Sequence, residues 1–268
     1  MKTLFDAHPK LLVGVVHLQP LPGSPRWGGA LEAILRFAVN DARAYERGGA
    51  HALFIENFGD IPFTKGGVGP ETIAAMAAAG RAVRAAVKLP IGFNVLRNDA
   101  RAALALCAAC DGSFVRVNVH TGAMLTDQGI IEGNAFETLR YRRQIRPQAA
   151  IWADVHVKHA VPLGNWSIGD SARDAVERGM ADALIVSGRG TGLPTDRADL
   201  ESVRASRPDA KILLGSGVTL ANLKDYIALA DGFIVGSSLK AGGRLHGPVD
   251  PRRVAALAKA VSARVRKG

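Results

Sequence analysis

Eight short apolar runs, each followed by a stretch of helical composition, limit what this chain of 268 residues can fold into more than any other feature. The runs are LLVGVVHL from Leu11, ALFIENF from Ala52, IGFNVL from Ile91, FVRVNV from Phe114, IWADVHV from Ile151, ALIVSG from Ala183, KILLGSG from Lys211 and GFIVGSS from Gly232, with starts 21 to 41 residues apart. Runs so rich in Val, Ile, Leu and Phe suit strands covered on both faces. Between them lie segments such as LEAILRFAVNDARAYERGG, PETIAAMAAAGRAVRAAV, SARDAVERG and LANLKDYIALA, and strand–helix alternation implies a parallel sheet. Eight such units predict an α/β fold, a single (β/α)8 TIM barrel over residues 1–268. An open doubly wound sheet competes, but it calls for a glycine fingerprint after the first strand, where the chain reads LQPLPGSPRWGG beyond His17.

Charge narrows the partners. Lys and Arg number 34 against 24 acidic residues, a formal +10 that favours an anionic partner, which can be a small one. Six of the cations (Arg252, Arg253, Lys259, Arg264, Arg266, Lys267) fall in the last seventeen residues and read as the solvated face of a terminal helix. No aromatic residues interleave with them, so sequence-specific nucleic-acid binding is not expected. Cys107 and Cys110 sit inside an apolar run without a second CxxC and read as buried structural thiols. No apolar run reaches a membrane span and no signal-like segment opens the chain, so a cytoplasmic protein is expected, with homo-oligomerisation left open.

Polar residues interrupt the runs near their C-terminal ends, where barrel enzymes keep their sites. They include His17, Glu56, Asn94, Arg116, Asn118, His120, Asp154, His156 and Lys158. A two-residue period puts Asp154, His156 and Lys158 on one side of the fifth strand, and Arg116, Asn118 and His120 on one side of the fourth. Burying several ionisable groups is costly unless they pair or bind something. Glu56, Asp154 and His156 are therefore the candidates for proton transfer, with His17, Asn94, Asn118 and Lys158 as substrate-binding candidates. Lys158 is also the one strand-end lysine that a Schiff-base mechanism could use, although the expectation is that it pairs with a carboxylate or lies just past the barrel.

The last three strands end in SGRGTG, GSGV and GSS. Glycine lets backbone amides approach an anion, and barrels commonly hold phosphate at the loops after strands seven and eight. Gly188, Gly215, Ser216, Gly217, Gly236 and Ser237 are the phosphate-binding candidates. Two Pro/Gly-rich loops, residues 19–29 and 59–71, follow the first two strands and could cover the mouth. His17, Glu56, His120, Asp154 and His156 are acceptable metal ligands, but the chain lacks the His-x-His of an amidohydrolase barrel; no cofactor is expected, with a divalent metal admitted.

The stretches GVVHLQPLPGSP, GGAHALFIENFGDIPF, GFNVLRNDA, FVRVNVHTGAMLTDQGIIEG, ADVHVKHA, ALIVSGRGTG and LLGSGVT resemble the BtpA/SgcQ family over residues 11–255. The resemblance implies a barrel related to the ribulose-phosphate-binding group. It also implies one of two roles: an enzyme of sugar or nucleoside catabolism, or a factor in photosystem I biogenesis. An enzyme acting on a phosphorylated pentose-like substrate, as isomerase, lyase or glycosidic-bond cleaver, accounts for both the anion loops and the ionisable cluster. A non-catalytic assembly factor is the alternative.

Overall fold

Eight parallel strands close on one another, so the barrel itself has no edge strand. The computed structural model describes residues 4–188 and 190–265. In chain order the barrel is β1 (Leu11–His17), β2 (Ala52–Glu56), β3 (Ile91–Asn94), β4 (Phe114–Val117), β7 (Ala150–Val155), β9 (Ala183–Val186), β10 (Ile212–Gly215) and β11 (Gly232–Val235), with β1 pairing β11 to complete the ring. These are the eight runs of the sequence, and the fifth and seventh strands begin one residue from the expected start. Three further strands, β5 (Ala123–Thr126), β6 (Gly129–Glu132) and β8 (Ala160–Pro162), form a separate antiparallel sheet that the sequence reading did not anticipate.

Helices return each chain segment to the next strand: α2 (Leu31–Arg47), α3 (Pro70–Ala86), α4 (Ala100–Ala109), α5 (Ala135–Ile145), α6 (Ile168–Glu177), α7 (Arg197–Ser206), the short α8 (Leu223–Tyr226) and α9 (Pro251–Val265). Their starts are written locally. Asp99, Ser167 and Asp196 accept from the first-turn N–H groups of Ala102, Asp170 and Ala198, and Pro70 opens α3 where its missing N–H costs nothing.

Strand parity splits the core in two. Leu12, Val16, Leu53, Ile55 and Phe93 pack outward on the helices, whereas Leu11, Val13, Phe54, Phe114, Trp152, Leu213 and Ile234 fill the barrel. Phe114 stacks on Trp152 with centroids 4.0 Å apart, and Phe54 meets both rings edge-on. Room for these rings comes from Gly92, where a Cβ would lie 2.2 Å from the Phe114 ring. Phe5, on the N-terminal turn α1 (Leu4–Ala7), tilts against Trp152 and plugs the N-terminal end. Polar side chains can therefore gather only at the opposite end.

Both Pro/Gly loops lie there, pinned together. Asp60 accepts from the Leu21 N–H, and Gly59 sits so close to the 19–20 backbone that a Cβ would fall 2.4 Å from Pro20 N. Cys107 and Cys110 are buried and not joined in a disulfide, with burial pushing the Cys107 thiol up to about 12. On α9, Arg252, Arg253 and Lys259 are exposed; the Arg264 side chain, Arg266 and Lys267 lie outside the described residues. No described helix is long and apolar enough to cross a membrane.

Candidate functional site

Inward parity at the C-terminal strand ends delivers His17 from β1, Glu56 from β2, Asn94 from β3, Arg116 from β4 and Asp154 from β7, with Asn118 one step beyond β4. The register seats these ends side by side, His17 opposite Glu56 and Glu56 opposite Asn94.

Arg116 is the centre of the group. Its Nε and Nη2 donate to the two carboxylate oxygens of Asp154 at 2.7 and 2.8 Å, a fully buried fork. Burial works against its charge, but the Asp154 carboxylate and, further off, Glu56 raise its pKa and hold it protonated. Asn118 Nδ2 also donates to Asp154, at 3.1 Å. Both Asp154 oxygens are thus taken. Asp154 sits in the mouth as expected, but as the group that aims Arg116.

Glu56 is less committed. Asn94 Nδ2 donates to its Oε2 at 2.5 Å, Arg116 Nη1 stands 3.9 Å from that same oxygen, and His17 Nε2 stands 3.9 Å from Oε1. Burial, with the charges of Lys240, Lys158, His246 and Arg116, drives His17 well below the usual imidazole range, so its ring is neutral near pH 7. Four buried polar atoms along these strand ends have no partner among the described residues: His17 Nδ1, Asn94 Oδ1, Asn118 Oδ1 and Ser187 Oγ. Asn94 and Asn118 are only 1% and 2% exposed. Burying such acceptors unpaired is expensive, so the site is built to hydrogen-bond something.

Two adjoining cavities share Glu56, Arg116, Lys158 and Thr191. The larger, about 710 Å³, has this polar floor and apolar walls from Phe58, Ile61, Phe63, Leu96 and Leu193. The smaller, about 60 Å³, is a slot between the 215–217 and 236–238 loops. Gly217, Val218, Ser237 and Ser238 line that slot, and their N–H groups have no hydrogen-bond partner among the described residues. At Gly236 a Cβ would press on the His17 ring at 2.7 Å, so glycine is required for the ring and slot to adjoin.

The structure thus brings together Glu56, Asp154, His17, Asn94, Asn118, Lys158, Gly215, Ser216, Gly217, Gly236 and Ser237. His156 and Gly188 line neither of these two cavities; His156 instead lines a third, of about 100 Å³, with Asn118 and Asp154. His156 lies beyond the end of β7 with a left-handed φ of 50°, which ends the alternation, and its Nε2 faces Ser171 Oγ of α6 at 3.0 Å. His120 likewise turns into the helix layer, its Nε2 2.7 Å from the Gly179 carbonyl. Gly188 packs its Cα on the Leu193–Pro194 backbone instead of lining the slot. Ser216 Oγ donates to the Gly190 carbonyl and accepts from the Gly192 N–H, so its hydroxyl braces the neighbouring loop. Lys158 was expected to pair with a carboxylate or to lie just past the barrel; it lies three residues beyond the end of β7 and forms no ion pair among the described residues, Asp154 being held by Arg116. Arg116 and Arg97 carry more of the site than the sequence reading assigned them; the Arg in FVRVNV had the inward parity, whereas Arg97 reaches the chamber from a loop that carries no periodicity. Among the described residues, no three His, Cys, Asp or Glu side chains converge as a cation site requires.

A closed parallel barrel with a polar pocket at the C-terminal ends of its strands defines the class, a (β/α)8 barrel. Solved structures share the fold: a tryptophan synthase structure from Mycobacterium tuberculosis (TM-score 0.61, 17% identity, 96% of each chain) and phosphoribosyl anthranilate isomerase from Thermus thermophilus (TM-score 0.57, 16% identity, 94% of this chain and 98% of that one). The chain belongs to the BtpA family, whose model matches residues 8–263. It is 45% identical over 251 residues to the Photosystem I biogenesis protein BtpA of Synechocystis, covering 94% of this chain and 88% of the relative. It is 33% identical over 249 residues to the sgc region protein SgcQ of Escherichia coli, covering 91% of each.

Proposed function

We propose that this protein is an enzyme acting on a phosphorylated, hydroxylated small molecule of pentose-like type, by proton transfer or carbon–heteroatom cleavage. The observation that carries this reading is the junction of the two cavities at Glu56 and Arg116. The slot of unpaired N–H groups takes the phosphate, and the net charge of +10 favours its approach. Asn94 Oδ1 and Asn118 Oδ1 accept from substrate hydroxyl groups. Arg116 has two of its donor groups committed to Asp154 and presents Nη1 toward the mouth, where it stabilises negative charge developing on a substrate oxygen. Glu56, steadied by Asn94, moves the proton.

Thermal unfolding with inorganic phosphate and phosphate esters tests the reading. Binding to the folded state alone raises the melting temperature with ligand concentration. Ser237→Asp, which sets a carboxylate in the slot, abolishes the rise. An unchanged melting temperature of the parent protein at millimolar phosphate esters would sink the idea.

The name of the Synechocystis relative favours a second reading, a factor in photosystem I biogenesis. Complementation of a strain lacking that relative decides between them: an assembly role survives Glu56→Gln, whereas a role through catalysis does not.

A further inference from the structure

We infer that Lys158 is a covalent catalyst that forms a Schiff base with a carbonyl group of the phosphorylated substrate. The inference rests on the enzyme reading above and goes beyond it, because it fixes the substrate class as an aldehyde or ketone phosphate and the chemistry as covalent.

Place comes first. Lys158 lines both cavities, at the junction where the carbonyl of a molecule anchored by its phosphate in the 215–217/236–238 slot would lie. The segment bearing it is fixed on either side. Val157 is buried in a small cluster with Val119, Met124 and Ile131, and Arg97 Nη2 donates to the Lys158 carbonyl at 2.6 Å. The side chain therefore projects from a braced backbone.

Its electrostatic surroundings come second. The lysine's neighbours are Glu56, Asp154, Arg97 and Arg116, and neither carboxylate is within ion-pair distance of the ammonium. Asp154 is consumed by the Arg116 fork, and Glu56 is held by Asn94. Half-buried, Lys158 faces the two cavities with no ion-pair partner among the described residues. Burial, then the Arg116 guanidinium, brings its pKa below the ordinary lysine range, with Arg97 acting in the same direction, and this increases the neutral amine that attacks carbonyls.

The step balances without a cofactor. Neutral Nζ adds to the carbonyl carbon, the π pair goes to oxygen, and one proton passes from nitrogen to that oxygen to give a carbinolamine. A second proton, relayed from solvent through the Glu56 carboxylate, goes to the oxygen, which leaves as water, and the nitrogen lone pair closes the C=N bond of an iminium that keeps one N–H. The iminium then draws the electrons of a neighbouring C–H bond while the Glu56 carboxylate takes the proton, giving an enamine; Glu56 returns the proton to carbon, and water adds to the restored iminium and releases Lys158 as the amine.

The test is reductive trapping on the full chain. Sodium borohydride is added with dihydroxyacetone phosphate, ribulose 5-phosphate or pyridoxal 5′-phosphate, and the product is mapped by peptide mass spectrometry. The expected result is one reduced adduct on the Lys158 peptide, suppressed by millimolar inorganic phosphate and missing from Lys158→Arg and Lys158→Met. The trapping rate should rise with pH through a midpoint below the ~10.4 of a free lysine. No adduct at Lys158 with any of the three probes, or adducts only on surface lysines, overturns the proposal. If phosphate still raises the melting temperature in that event, the anion site stands and only the covalent chemistry fails; if it does not, the enzyme reading fails with it.

Discussion

Asp154 shows how one side chain can lie where function is expected and yet serve another residue. Removing its charge strands Arg116 in a buried setting, and breaking one partner of such a pair costs about 3–5 kcal/mol. Asp154→Asn is therefore expected to lower the melting temperature by on the order of 10 °C in a chain of this size. Glu56→Gln keeps an oxygen for Asn94 and should leave the melting temperature nearly unchanged, while turnover of the phosphorylated carbonyl compound selected by the thermal screen falls about 10²- to 10⁴-fold. A near-equal loss of stability in the two variants would contradict this division of labour. Away from the site, His51 Nδ1 accepts from the Leu12 N–H, and burial, with His8 stacked on it, lowers its pKa to about 4. Its pKa is depressed on folding, so the unfolded chain takes up protons first as pH falls. The stability it contributes is whole above pH 6.5 and is lost progressively toward pH 4. His51→Asn preserves an acceptor without titrating, and denaturant melts at pH 6.5 and 5 should show a smaller acid loss in the variant. Parity sufficed to find Glu56, Asn94, Asn118 and Asp154, because a buried strand keeps a strict period of two. It failed at His156 because β7 has already ended at Val155, a boundary that no periodicity marks.

At the level of elements, the barrel strands were legible because burial on both faces leaves an unbroken apolar signature. The antiparallel sheet of β5, β6 and β8 was not, since its strands are three or four residues long and carry exposed Leu125, Ile130 and Val161 beside polar neighbours. The two long loops were visible as Pro/Gly-rich sequence, but their division of labour was not. Residues 59–71 contribute Ile61 and Phe63 to the chamber wall, while the 19–29 loop braces them from behind. The brace depends on Gly59, where any side chain would collide with Pro20. Gly59→Ala is expected to cost about 1–3 kcal/mol, as overpacking does, and to speed proteolysis within residues 19–29 and 59–71. Unaltered melting and cleavage patterns would show that the loops are held by other contacts.

For the whole molecule, the excess of cations acts at a distance that no single contact conveys. A field of this sign draws anions toward the mouth and fades as salt shortens the screening length from about 30 Å at 0.01 M to about 8 Å at 0.15 M. Affinity for a phosphate ester, measured by calorimetry, should fall several-fold across that range, and a salt-independent affinity would restrict recognition to the slot itself. The aromatic filling of the barrel has its own kinetic consequence. Phe54, Phe114 and Trp152, backed by Phe5, close the N-terminal end, so nothing passes through the molecule. On the proposed enzyme reading, a product made at the mouth would depart by the doorway through which its precursor came, and a departing fragment that keeps the phosphate would occupy the berth the next molecule needs. Accumulating product of that kind competes directly with incoming substrate, which ties the pace of the reaction to how quickly the next step in the cell clears it.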